Sequence, residues 1–262
     1  MRKFGLIGKS LLHSRSKEYF LQKFTREHLS DCFYENYQLD DLKDIRSLIL
    51  NEPHLLGLNV TTPYKIEIMK YVDDISPMAD SFGAVNCVKI SRNGKDIRLT
   101  GYNTDAAAFR ETLKPLIRKV HNNALILGTG GAARAVCHAL KDLNVDYTLV
   151  SRNEKSGELT YSALTRQTIV DYNMIINATP VGMFPAEDQC PPMPYKYLTS
   201  KNLLYDLVYN PEETMFLKKG IEAGAQVKNG LEMLQLQAEM SWKVWNDSPL
   251  PFDPLPQLGE GK

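Results

Sequence analysis

A chain of 262 residues, 43% hydrophobic and 24% charged, can bury one large core or two modest ones, and its composition is neither disordered nor fibrous. Its 31 basic residues balance 31 acidic ones, so no excess positive field recruits nucleic acid or an anionic membrane, and a small-molecule partner is expected. Cys32, Cys87, Cys137 and Cys190 are far apart, without CxxC spacing or a histidine cluster, which argues against a zinc site or a disulfide framework and fits a reducing cytoplasm.

The apolar run at residues 3–7 is too short for a signal peptide or a membrane helix and reads as a strand. Amphipathic or apolar stretches follow at 17–24, 33–38, 42–50, 57–60 and 66–71, a β/α alternation whose crossovers predict parallel pairing. Residues 80–88 read as irregular, and 89–100, with Asn93-Gly94 inside, as a hairpin with a tight turn. A small α/β domain therefore closes near residue 103. A second series begins after Asn122-Asn123: strand 124–127, a glycine turn, helix 132–143 and strand 147–150, with further strands at 174–177, 203–206 and 225–227. This is a doubly wound pattern. From Gly230 a long amphipathic helix opens, which can return to the first domain, and residues 247–262, rich in proline, read as an extended tail.

Gly128-Thr129-Gly130-Gly131-Ala132-Ala133 matches GxGxxA between an apolar strand and an alanine-rich helix. Gly128 suits the tight turn, Gly130 lets backbone approach a pyrophosphate, and Ala133 allows close packing of helix on strand; the N–H groups of Gly131 and Ala132 then face the anion. The bland reading is an ordinary βα turn. At the end of the next strand a carboxylate would select NAD, but the sequence there is Ser151-Arg152-Asn153. Arg152 can pair with a 2′-phosphate, with Ser151, Asn153 and Lys155 as further donors, which favours NADP. A charge-assisted bond of about 1.5–3 kcal/mol corresponds to a tenfold to hundredfold preference. The competing reading has Arg152 solvated and Glu154 on the ribose.

Eight blocks, GKSLLHSRS (8–16), NVTTPYK (59–65), GAVN (83–86), GYNTD (101–105), GTGGAARA (128–135), NATPVGM (177–183), DLVYNPEET (206–214) and NGLEMLQLQA (229–238), together resemble the shikimate dehydrogenase family over nearly the whole chain. The resemblance implies a mixed, mostly parallel α/β substrate domain at 1–103, completed by 231–262. It also implies a Rossmann-like, doubly wound NADP-binding domain at 104–230. The implied reaction is the NADPH-dependent, reversible reduction of 3-dehydroshikimate, and the implied assembly is a monomer or homodimer.

Hydride delivery to a ketone leaves an alkoxide that needs a proton or a positive charge beside it. Lys65 follows a strand end and a proline near a helix start, which places its ammonium at the carboxyl edge of a parallel sheet. By resemblance Asp105 faces Lys65 across the cleft; its bland reading is a helix N-cap before Ala106, and that of Lys65 is a solvated surface lysine. By the same resemblance Ser14 and Ser16 bind the substrate carboxylate, Thr61, Asn86 and Gln237 bond the ring hydroxyls, and Tyr209 reaches the substrate from the cofactor domain. Ala178, Thr179, Gly182, Met183 and Gly230 line the nicotinamide-ribose side, the glycines reading otherwise as turns with positive φ. The sequence departs from the family at Lys17, where proline is usual, at Phe20-Leu21, at Cys87 and at Ala108. Two alternatives stand beside this reading: a quinate or broad-specificity shikimate/quinate dehydrogenase, and a catalytically silent NADP-binding regulator.

Overall fold

Apolar runs with period two or complete burial become strands here, and amphipathic stretches between them become the crossovers. The structure, a computed structural model, describes residues 1–11, 14–153 and 159–248. The chain runs β1 (Arg2–Gly8), α1 (Ser16–Arg26), β2 (Cys32–Gln38), α2 (Ile45–Asn51), β3 (Leu55–Val60), α3 (Tyr64–Glu67), β4 (Asp74–Ile75), α4 (Pro77–Phe82), β5 (Cys87–Asn93) and β6 (Asp96–Tyr102). It continues as α5 (Asp105–Leu113), β7 (Asn123–Leu127), α6 (Gly131–Asp142), β8 (Asp146–Ser151), β9 (Leu159–Thr160), α7 (Arg166–Asp171), β10 (Met174–Asn177), β11 (Leu203–Asp206), α8 (Met215–Glu222), β12 (Gln226–Lys228) and α9 (Leu231–Trp245). None of the helices among the described residues is long and apolar enough to cross a membrane. The tail expected at the C-terminus lies, from residue 249 on, outside the described residues.

Two compact units result, Met1–Ala107 with Gln235–Lys262, and Ala108–Leu234. The sheet of the first has the order β2-β1-β3-β5-β6-β4. The β1–β2, β1–β3 and β4–β6 pairs are parallel, while β5 runs antiparallel to both β3 and β6. The carboxyl ends of β1, β3 and β6 and the amino end of β5 therefore share one edge. The segments carrying Ser14 and Ser16, Thr61 and Lys65, Asn86, and Asp105 all leave or enter at that edge.

Alternate side chains of β1 feed two cores. Phe4 and Leu6 join Phe20, Phe24, Tyr34 and Trp245 under α1 and α9, while Ile7 joins Leu42, Ile45, Leu58 and Ile68 on the other face. Phe20 stacks on Tyr34 with centroids 4.4 Å apart, and Phe4 on Trp245 at 4.9 Å. The Trp245 indole N–H donates to the Val88 carbonyl at 3.1 Å, so the aromatic cluster leaves no polar atom of that ring unpaired.

The second unit carries a sheet of order β12-β11-β10-β7-β8-β9, with every neighbour parallel. Counted from β7 as the first strand, this is 3-2-1-4-5-6 read from the β9 edge, the doubly wound order of dinucleotide folds. Its switch point lies between β7 and β10.

Several local expectations shift. The helix expected at 42–50 is a 3₁₀ turn, Leu42–Asp44, followed by α2; Asp41 caps the turn by accepting the Lys43 N–H at 2.9 Å. The irregular stretch at 80–88 contains the end of α4, which starts with the Ser76 hydroxyl accepting from Ala79 N–H at 3.2 Å and with Pro77 in its first turn. The hairpin is longer than expected, pairing Cys87 with Tyr102 through to Asn93 with Asp96.

Candidate active site

The strand β3 ends at Val60, whose N–H is already held by the Asn86 carbonyl at 2.8 Å. Thr61 accepts from the Tyr64 N–H at 3.0 Å through its carbonyl, Tyr64 anchors α3 by donating to the Leu39 carbonyl at 2.7 Å, and the Lys65 carbonyl accepts from Val85 N–H at 2.7 Å. The backbone under Lys65 is thus fixed on both sides. Its ammonium donates to Asp105 Oδ2 at 2.7 Å, with the side chains 18% and 9% exposed. A pair this sheltered keeps more of its Coulomb attraction than one in open water. The Lys65 ammonium is not the solvated surface group of the bland reading.

Asp105 opens α5 but does not cap it. Asn103 does so, its Oδ1 accepting from the Ala106 N–H at 3.1 Å, and both carboxylate oxygens of Asp105 are directed elsewhere. Oδ1 accepts from Asn86 Nδ2 at 2.8 Å and Oδ2 from Lys65. The second hydrogen of the Asn86 amide goes to Thr104 Oγ1 at 2.9 Å, and its carbonyl oxygen accepts from Thr104 N–H at 2.7 Å. A backbone N–H can only donate, so the atom facing it is the Asn86 oxygen, and the atom facing Asp105 is the nitrogen. Asn86, a candidate for bonding a ring hydroxyl, has both its donors engaged with protein.

The remaining candidates of the first unit stand as follows. Ser14 and Ser16 hydroxyls lie 3.3 Å apart at the start of α1, the first half-buried and the second buried. Ser16 also reaches Tyr34, whose phenol is pushed well above its ordinary value by burial, with the Ser16 hydrogen bond opposing. Thr61 is half-buried directly after β3, and Gln237 is buried on α9, its carbonyl accepting from the Ser241 hydroxyl at 3.0 Å. His13 lies outside the described residues.

In the second unit Gly128 has φ 107°, a conformation side chains rarely adopt, and a Cβ there would stand 2.8 Å from Thr179 Cγ2. The turn after β7 and the loop after β10 therefore touch at the switch point. The first i→i−4 bond of α6 runs from Arg134 N–H to the Gly130 carbonyl at 3.2 Å, leaving the N–H groups of Gly131, Ala132 and Ala133 ahead of it for an anion. A Cβ on Gly130 would meet nothing within 4 Å, so the space before those N–H groups is open. A pyrophosphate fits this cradle. At the end of β8 the buried Ser151 hydroxyl donates to the Asn153 carbonyl, shaping the turn, while Arg152 and Asn153 are exposed. Arg152 stands close enough to Tyr161 to pull its phenol down against the upward push of burial. Glu154 and Lys155 lie outside the described residues.

Thr179 donates its hydroxyl to Asn177 Oδ1 at 2.6 Å, and Asn177 Nδ2 donates to Asp206 Oδ1 at 3.0 Å. Gly230 differs from the turn glycine of the sequence reading. It lacks a positive φ, but a Cβ there would fall 2.2 Å from the Leu207 carbonyl oxygen, so it is small because backbone packs on it. Gly182 does have the positive φ expected, 90°. Tyr209 is half-buried in the segment after β11. Sequence reasoning passed over Asn59, Thr104, Ser241, Asn177 and Asp206. Asn59, Thr104, Asn177 and Asp206 sit inside the quoted blocks, and that adjacency was the only signal for them. Among the described residues no group of three or more His, Cys, Asp or Glu could hold a metal ion.

The family model described as the shikimate dehydrogenase substrate binding domain matches residues 6–88. A shikimate dehydrogenase (NADP(+)) from Methanococcus aeolicus is 34% identical over 260 residues, covering 92% of this chain and 90% of the relative. Among solved structures, a chorismate mutase/shikimate 5-dehydrogenase fusion protein from Clostridium acetobutylicum superposes with TM-score 0.83 at 35% identity, covering 96% of this chain and 93% of the other. A shikimate 5-dehydrogenase from Thermus thermophilus in complex with NADP(H) and shikimate gives TM-score 0.81 at 28% identity, over 94% of each chain.

Proposed function

This chain belongs to the shikimate dehydrogenase family, and from that premise we propose that it reversibly reduces 3-dehydroshikimate to shikimate with NADPH, in the shikimate pathway of aromatic amino acid biosynthesis. The observation that carries the reading is the sheltered Lys65–Asp105 pair, 2.7 Å apart, at the sheet edge that also bears Ser14, Ser16, Thr61 and Asn86. When bound, NADPH supplies a hydride that forms the new C–H bond at the ketone carbon while the carbonyl electron pair moves onto oxygen.

The protein's own groups handle what remains. The Lys65 ammonium donates a proton to that oxygen, completing the hydroxyl, and Asp105 holds the ammonium in place while the lysine regains a proton from solvent. A positive charge fixed at the developing alkoxide stabilises the transition state more than the neutral ketone, which is where rate is gained. The hydroxyls of Ser14 and Ser16 donate to the substrate carboxylate, and Thr61 and Gln237 meet ring hydroxyls. In the second unit Gly128, Gly130, Gly131 and Ala132 cradle the pyrophosphate, Thr179 and Gly230 flank the nicotinamide ribose, and Arg152 with Ser151 and Asn153 forms the 2′-phosphate end.

The test is direct: purified protein, 3-dehydroshikimate and NADPH are mixed and the cofactor absorbance is followed. Substrate-dependent oxidation is expected. Its absence contradicts the enzyme reading and favours a silent NADP-binding regulator.

A further inference from the structure

Behind the Lys65–Asp105 pair runs a buried file of hydrogen-bonded polar side chains, all within the first unit. The Tyr34 hydroxyl donates to Asn59 Oδ1 at 2.8 Å, and Asn59 Nδ2 donates to Ser241 Oγ at 2.8 Å. Ser241 gives its own hydrogen to the Gln237 carbonyl at 3.0 Å, so at its 3.3 Å contact with Thr104 Oγ1 it is an acceptor; the Thr104 hydroxyl hydrogen has two acceptors at that distance, Ser241 Oγ and Asn86 Oδ1. Thr104 Oγ1 in turn accepts from Asn86 Nδ2 at 2.9 Å, and the same nitrogen donates to Asp105 Oδ1 at 2.8 Å. Asn59, Asn86, Thr104 and Ser241 are all buried, with Thr104 and Ser241 at 0% exposure.

We propose that Thr104 and Ser241 are positioning residues for the Lys65–Asp105 pair, acting through the Asn86 amide. Thr104 grips Asn86 at both ends: its N–H fixes the amide oxygen, and its hydroxyl takes one amide hydrogen, leaving the other for Asp105. Ser241, on α9, offers the Thr104 hydroxyl hydrogen an acceptor 3.3 Å away, as does Asn86 Oδ1, and in either orientation a Thr104 lone pair takes the Asn86 amide hydrogen at 2.9 Å. Without that hydroxyl a buried amide hydrogen loses its acceptor, which is costly, and Asn86 turns to recover one. Asp105 then loses the donor that holds its Oδ1 and leaves Oδ2 to Lys65.

The proposal rests on the dehydrogenase reading given above, and the test separates the two. Thr104→Val keeps the shape and removes the hydroxyl; Thr104→Ser keeps the hydroxyl; Ser241→Ala cuts the file one step earlier. For each, kcat and KM for shikimate, NADPH affinity by fluorescence, and Tm are measured. Misplacing a reacting group slightly can lower rate by about a hundredfold. Thr104→Val is therefore expected to lower kcat by roughly tenfold to a hundredfold, with KM and NADPH affinity within about threefold. Thr104→Ser restores kcat, and Ser241→Ala moves it in the direction of Thr104→Val by less.

Wild-type kcat in Thr104→Val, or equal losses in the valine and serine variants, overturns the proposal. Should Thr104→Val not fold, an unchanged kcat in Ser241→Ala overturns it alone. If the wild-type protein turns over no 3-dehydroshikimate, the functional reading fails. Positioning is then read from the Asn86 side-chain amide signals in ¹⁵N spectra, which should move in Thr104→Val and Ser241→Ala and hold in Thr104→Ser. Unmoved signals in the first two refute it.

Discussion

On the proposed function, removing Lys65 tests the chemistry and removing Arg152 tests cofactor binding. In the proposed mechanism Lys65 gives the proton, so Lys65→Ala should lower kcat by about a hundredfold to ten-thousandfold, the range of a general acid, with a much smaller rise in KM. Steady-state kinetics checks this, and a near-normal kcat removes Lys65 from the mechanism. Arg152 is exposed at the end of β8, where it can meet a 2′-phosphate. Arg152→Ala should weaken NADPH by about tenfold to a hundredfold and leave NADH nearly unchanged. Equal losses for both cofactors would leave Arg152 without a part in the choice between them. Both residues stood out in the sequence, Lys65 because it sits where strand meets helix within the NVTTPYK block and Arg152 because it follows the strand after the glycine turn. The contact of Asp105 with Lys65 was expected from the resemblance, while its release from capping was not, since that depends on Asn103 two residues earlier taking the Ala106 N–H.

Between elements, Asp206 ties the end of β11 to the end of β10 and to the start of α8. Its Oδ1 accepts from Asn177 Nδ2 and Val208 N–H, both at 3.0 Å, and its Oδ2 from the Thr214 hydroxyl at 2.6 Å, while Thr214 also caps α8. Complete burial pushes this carboxyl up to about 7, against the pull of those three donors. A folded pKa above the unfolded value means the folded state binds more protons between about pH 4 and 7. In that window the unfolded state binds fewer, and stability falls as pH rises. Asp206→Asn can keep both acceptor contacts at Oδ1 and donate to Thr214 instead, so its Tm should be flatter over that range than the wild type's. Parallel Tm profiles would contradict this.

Among the aromatic contacts under α1 and α9, Trp245→Ala should cost about 3–5 kcal/mol in urea unfolding, the range for emptying a large buried site. A loss below about 1 kcal/mol would mean the cluster closes over the gap. The crossovers α7 and α8 were invisible as individual helices because six and eight residues carry barely two turns of period. Their caps, Thr165 with Thr168 and Thr214, went unread with them.

At the scale of the molecule, each unit owns a sheet and a core, and the alternation of apolar runs is what made both sheets legible. Strands at 174–177 and 203–206 could be read to the residue because complete burial leaves a continuous apolar run between polar ends. The polar file behind Asp105 could not, because it joins positions 18 to 182 residues apart that only the β3–β5–β6 register and the packing of α9 bring together. The fold and the glycine turn are thus local in the sequence, whereas the hydrogen bonding behind the Lys65–Asp105 pair is not.

The most direct measurement is kcat/KM for shikimate and for quinate, each with NADP and with NAD. Shikimate with NADP should give the highest of the four values. Quinate with NAD as the preferred pair would contradict the account at both ends, at the ring subsite around Thr61 and at Arg152.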